Sequence, residues 1–258
     1  MKTAPNIILH IPHSSTKIPF KDGYVIHEKE MMNEINLLTD WYTDELFDLP
    51  YPKAIAPFTR LFCDVERFPD DKSEIMAQHG MGMCYTYLDI GKLMREVNPE
   101  LRMKIKSDYY DVHHKSLELL TTDMLTKFGK AIIIDCHSFE DTPNQRDLNK
   151  EMPRPDFCIG TDGYHTPEGI TERIKDYLNK QGYKVMINKP YSGTLIPLKY
   201  YRQEKNVTGI MIEVNRKLYM TQKNNKVEKN MDFDIIKSFI ADLVKEICQL
   251  QDFNLEKF

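Results

Sequence analysis

The sequence has no long apolar run. Nothing in its 258 residues approaches the roughly 18–20 consecutive apolar residues of a membrane span. The opening stretch from Met1 to Asn6 leads straight into a short apolar strand with no cleavable apolar leader, so no signal peptide is expected. Cysteine is sparse and odd in number: Cys63, Cys84, Cys136, Cys158 and Cys248. No two are spaced as C-x-x-C. This argues against a disulfide framework or an all-cysteine zinc site and points to a reducing cytoplasm. An excess of one charge is missing too. Lys and Arg number 35 against 39 Asp and Glu, for a net charge of −4. That balance gives no footprint for nucleic acid or an anionic membrane. A small anionic ligand remains compatible, since it needs only one or two well-placed arginines. Internal repeats, low-complexity tracts and a clear linker are also lacking.

What is present suits a globular core. Hydrophobic residues make up 41% and charged residues 29%, with 12 Phe and 14 Tyr, which excludes whole-chain disorder. The length fits a single α/β catalytic domain over residues 1–258. The apolar run Asn6–His10 reads as a buried strand stopped by Pro12. A helical stripe over Glu28–Leu49 includes Met31, Ile35, Leu38, Tyr42 and Leu46, and Pro50 and Pro52 end it. Ala54–Val65 reads as two short strands around Pro57, and residues 66–90 as a long functional loop. A helix opens at Pro99 and runs to about Phe128. Ala131–Asp135 is a continuous β-branched run, as in a strand buried on both faces. A strand ending near Ile159, a helix over Glu168–Gln181 and strands at Val185–Ile187 and Gly209–Val214 follow. The Lys/Asn-rich segment 222–230 reads as a solvated loop, and residues 232–250 as a C-terminal helix. This alternation predicts an α/β fold, with a mixed, mostly parallel sheet between helices.

Open α/β sheets place their sites at the carboxyl ends of strands. Three strands here deliver His13, His137 and Glu213 to such ends. Two imidazoles and a carboxylate are the parts of a zinc hydrolase, in which three N/O ligands hold the metal and a nearby carboxylate manages a water proton. Each of these residues also has a purely structural reading as a satisfied buried polar group.

Five ordered blocks sharpen the reading: His10-Ile-Pro-His13-Ser-Ser, Asp64-Val-Glu66-Arg67-Phe68, His113-His114-Lys-Ser-Leu, Asp135-Cys-His137-Ser138 and Glu213-Val-Asn215-Arg216-Lys-Leu-Tyr219-Met220. Together they resemble the N-formylglutamate amidohydrolase family across about residues 8–220. The resemblance implies a zinc carboxypeptidase-like fold. It also implies hydrolysis of N-formyl-L-glutamate to formate and glutamate, as in histidine degradation, and so a small anionic acyl-amino acid as substrate. Carried over by position, His13 and His137 become zinc ligands, Glu213 the general base, and Arg67 the group facing an anion or the polarised carbonyl. Asp40 is the preferred third ligand, with Asp44 on the same expected helix face. The carboxypeptidase pattern expects a carboxylate three residues after the first His, but this chain has Thr16; His10 lies three residues before. Arg216, Asn215, His114, Ser138 and Tyr191 are expected around the substrate. Glu66 departs from the family's usual Asn, which leaves the substrate open: another acyl-amino acid or a peptide is the alternative. A cysteine or serine amidase and a non-catalytic binding relative are the rival classes.

Overall fold

The computed structural model describes residues 6–223 and 226–252. Its centre is a six-stranded sheet built from β1 (Ile7–Ile11), β2 (Lys53–Ile55), β3 (Ala131–Phe139), β4 (Phe157–Gly160), β5 (Val185–Ile187) and β6 (Val207–Asn215). The spatial order is β2-β1-β3-β6-β4-β5. The first four strands are parallel, whereas β4 runs antiparallel to β6 and parallel to β5. This is the mixed, mostly parallel sheet expected from the alternation of strands and helices. β1, β3, β4 and β6 are buried along their whole length, which explains their largely apolar character, broken by polar residues such as His10, Asp135, His137 and Glu213.

Period-two alternation divides the sheet into two faces. Leu9, Ile132, Ile134, Ile210 and Ile212 join the core cluster formed with α2 (Thr43–Leu46), α5 (Glu168–Lys180) and α6 (Phe233–Asp252). Ile8, Ala131 and Ile133 pack the other way, against Leu117 and Met124 of α4 (Asp111–Phe128). Asn98 caps α3 (Pro99–Ile105), accepting the Leu101 N–H at 2.8 Å, with Pro99 in the first turn. Between α3 and α4 the helix widens into a π turn at Lys106–Tyr110.

Four expectations are corrected. The helix expected over Glu28–Leu49 ends at Leu38, so α1 is Glu28–Leu38. The Asp40 N–H leaves helical geometry to bond the His13 carbonyl at 3.0 Å. Tyr42 then turns into the left-handed region at φ 62° before α2 begins. Asp40 and Asp44 therefore do not share a helix face; Asp44 is exposed. Of the two strands expected within 54–65, only the part inside β2 forms. Beyond Pro57 the chain leaves the sheet and is held instead by bonds such as Asp64 N–H to Met83 O at 2.8 Å. The helix expected over 99–128 is interrupted by the π turn. The segment read as a solvated loop forms an antiparallel hairpin, β7 (Met220–Lys223) with β8 (Lys226–Lys229); residues 224–225 lie outside the described residues.

Candidate active site

Register brings the polar residues together. Across β1, β3 and β6, His10 pairs with Asp135, and His137 pairs with Glu213. Because Ile132, Ile134 and Cys136 face α5 and α6, alternation sends Asp135 and His137 to the opposite face. His13 follows two residues after β1, beyond Pro12. Gly160 at the end of β4 lets the loop bearing Tyr191 pack close, since a Cβ there would lie 2.3 Å from the Gly193 carbonyl oxygen.

Asp64 is the buried hub. It accepts His13 Nε2–H at 2.9 Å, Tyr85 O–H at 2.8 Å, Arg60 at 3.1 and 3.3 Å, and the Glu66 N–H at 3.0 Å. Burial pushes its pKa up, but Arg60, His13 and Arg67 outweigh this and hold it well below the ordinary range. With Nε2 fixed on Asp64, His13 Nδ1 is buried and has no hydrogen-bond partner. Two carboxylates stand near that nitrogen: Asp40 Oδ2 at 3.7 Å and Glu66 Oε2 at 3.8 Å.

His137 faces the same two carboxylates. Its Nδ1 lies 3.1 Å from Asp40 Oδ2, and its Nε2 lies 3.2 Å from Glu66 Oε1 and 3.1 Å from Asp135 Oδ1. Burial lowers its pKa, but Glu66, Asp135 and Asp40 outweigh this and raise it well above 6.5. His13, Glu66 and His137 offer three ligand atoms within 4.8 Å of one another, as do His10, Glu66 and Asp135. His10 also lies 2.7 Å from Asp135 Oδ1 and 2.8 Å from His113 Nε2, forming a buried polar chain behind His137.

Asp40, Arg60, Glu66, Arg67, His137, Ser138, Tyr191, Glu213 and Arg216 line a cavity of about 370 Å³. Glu213 is buried, and its Oε2 has no partner. Burial, with Asp40 and Glu66 nearby, raises its pKa to about 8 against the opposing pull of His137. Such a carboxyl group can take and return a proton near neutral pH. Arg216 is held by Asp40 at 3.1 Å, Glu140 at 2.7 Å and Ser138 Oγ at 3.1 Å. Tyr191 O–H sits 3.0 Å from an Arg154 nitrogen.

Three candidates stand apart from the cavity wall: His13, His114 and Asn215. His114 Nε2 lies 2.8 Å from the Val65 carbonyl oxygen. Asn215 caps the turn after β6 and donates to Asp141 Oδ1 and Pro155 O. His114 and Asn215 hold backbone in place. Three residues that sequence reasoning did not place in the site are Arg60, Glu140 and Asp135. Arg60 lies four residues before Asp64 with no helical pattern to mark the spacing. Glu140 follows directly after a strand, and only the alternation along β3 marks Asp135.

A mostly parallel sheet with paired imidazoles and carboxylates at the carboxyl ends of its strands defines an α/β protein with a buried polar site. Residues 6–220 match the family model for N-formylglutamate amidohydrolase, so the chain belongs to that family. Its fold is similar to the crystal structure of N-formylglutamate amidohydrolase from Ralstonia eutropha JMP134. The TM-score is 0.79 at 21% identity, covering 95% of this chain and 94% of that one. It is also similar to a gene product of Agrobacterium tumefaciens, with a TM-score of 0.65 at 17% identity, covering 98% and 92%. No curated protein sequence matches the chain. Among the described residues, no helix is long and apolar enough to cross a membrane.

Proposed function

We propose that the cavity hydrolyses the linear amide of an N-acyl amino acid with the help of one zinc ion. N-formyl-L-glutamate, the compound in the family's name, is the first substrate to assay. The observation that carries the reading is the buried, unpartnered Nδ1 of His13. Its Nε2 is fixed by Asp64, and His137 with two carboxylates stands opposite. A carboxylate that orients the far nitrogen of a ligating imidazole is the usual support of a metal site. The donor set, two imidazoles and one oxygen, suits zinc. His13 and His137 would hold the ion together with Asp40 or Glu66. Bound zinc supplies Lewis acidity at the scissile carbonyl and eases deprotonation of the attacking water.

The chain's own groups do the rest. Glu213 accepts the proton of the attacking water on its free Oε2 as the new C–O bond forms. It returns that proton to the amine nitrogen as the C–N bond breaks; the carboxylic acid so formed then passes its remaining proton to the freed amine, which leaves a carboxylate and an amino acid with a protonated amino group. Arg67 holds the substrate carboxylate by charge-assisted hydrogen bonds. Arg216, spanning Asp40 and Glu140, fixes the Asp40 carboxylate on the cavity wall.

Neither Ser138 nor Cys136 stands as an activated nucleophile. Ser138 Oγ accepts from Arg216 Nε. Cys136 points to the opposite face, and burial raises its thiol pKa well above the ordinary value. The five free cysteines agree with a cytoplasmic setting. Metal analysis of the purified protein, with formate release measured before and after chelation, tests the proposal. Turnover that ignores the chelator, in protein holding no metal, refutes it.

A further inference from the structure

The three guanidinium groups on the cavity wall are not equivalent. All five N–H donors of Arg216 are engaged: with Ser138 Oγ at 3.1 Å, Leu37 O at 3.1 Å, Glu140 Oε1 at 2.7 Å, Asp40 Oδ1 at 3.1 Å and Ser138 O at 3.3 Å. Arg60 is held between two acids, on Asp64 Oδ2 at 3.1 and 3.3 Å and 3.9 Å from Asp40 Oδ1. Arg67 differs from both. Its Nε is buried and has no hydrogen-bond partner, and its nearest carboxylate, Asp64 Oδ2, is 3.7 Å away. One cation on this wall is therefore ready for a ligand anion.

The rest of the wall disfavours a second anion. Among the described residues six carboxyl residues line the cavity, Asp40, Glu66, Glu74, Glu140, Asp147 and Glu213, and the cations that Asp40, Glu140 and Asp147 hold, Arg216 and Arg154, are thereby occupied. The lining includes no lysine among the described residues. The remaining wall includes Leu38, Met76, Met81, Phe139 and Met211, each buried and presented to the cavity. Glu66, where the family resemblance led us to expect Asn, adds a carboxylate to the wall that Arg67 also lines.

We propose that the site selects an N-acyl amino acid carrying a single carboxylate and an uncharged, apolar side chain, in preference to a dicarboxylate such as N-formylglutamate. This rests on the amide-hydrolase reading above and names its substrate class. The α-carboxylate pairs with Arg67. The side chain lies against the methionines and Phe139, where a second carboxylate would lose its water without gaining a cation.

The test compares N-formyl-L-methionine with N-formyl-L-glutamate on the zinc-loaded enzyme, by formate release and by calorimetric Kd. The expected kcat/KM favours N-formylmethionine by about 10²-fold, the scale on which a polar group left unpaired in a site is rejected. Its Kd should also be the lower of the two. N-formylmethionine should bind more tightly than N-formylmethioninamide, and Arg67→Met should abolish that difference while zinc content stays unchanged. A higher kcat/KM or tighter binding for N-formylglutamate overturns the selectivity and leaves amide hydrolysis standing. Release of formate from neither compound overturns the hydrolase reading, and the order of the two Kd values still decides the selectivity.

Discussion

Replacing Glu213 by Gln should remove activity and stabilise the metal-free fold at the same time. The reason is in the burial. At pH 7 an unfolded chain carries this group ionised, with the ordinary value near 4.5, whereas in the folded protein the value is about 8. Folding therefore takes up a proton, and the group's contribution to stability is lost as pH rises from 4.5 toward 8. At about 1.4 kcal/mol per pKa unit, the cost is about 1 kcal/mol at pH 5 and about 3 kcal/mol at pH 7. Gln has no charge to lose and keeps nearly the same volume. Thermal denaturation in excess chelator should then show the variant melting above the parent by about 6–10 °C at pH 7, and by far less at pH 5. Added zinc should narrow the gap, since a nearby dication restores the carboxylate of the parent protein. Turnover should fall by about 10²–10⁴-fold, the usual size of a general-base contribution. A variant that melts below the parent at pH 7, or a gap that does not grow with pH, refutes the account of Glu213 as a buried, unpartnered carboxyl group.

Asp64→Asn strips the charge from a buried hub under Arg60 and His13, and should cost about 3–5 kcal/mol in chemical denaturation. The same variant should bind zinc about 10–100-fold more weakly, measured by competition with a chromophoric chelator; unchanged affinity would show that Asp64 does not orient His13. Asp40→Asn and Glu66→Gln, compared in the same competition assay, separate the two oxygen ligands: the true third ligand shows the larger loss. His137→Ala should lose the metal, and full zinc content in that variant contradicts its assignment. Ile210→Ala, in the fully buried β6, should cost about 2–5 kcal/mol without altering zinc content; a loss of metal there would show that the sheet and the site are not separable.

The strands were the most legible part of the sequence, because β1, β3 and β6 are buried on both faces and their apolar runs have no competing reading. The alternation of strands and helices also gave the sheet class. The antiparallel turn of β4 against β6 left no local trace, since the run at Phe157–Gly160 reads the same in either direction. The break after Leu38 was hidden for a different reason. Met31 to Leu46 keeps an apolar spacing that suits a helix, but the Asp40 N–H finds its partner on the His13 carbonyl, a contact 27 residues away in the chain. Within the site, the motif blocks marked His13, His137 and Glu213. Glu66 looked like an anomaly in sequence and lies among the candidate ligands in space. His114 and Asn215 had the right neighbours but turn to backbone carbonyls, a choice that only side-chain direction decides.

The π turn at Lys106–Tyr110 holds one residue more than a regular helix of the same span. Removing one residue there would restore an uninterrupted α-helix across the same span and leave α3 and α4 in their present orientations. The turn thus absorbs an extra residue, so that α3 stays on its Asn98 cap while His113 of α4 still meets His10.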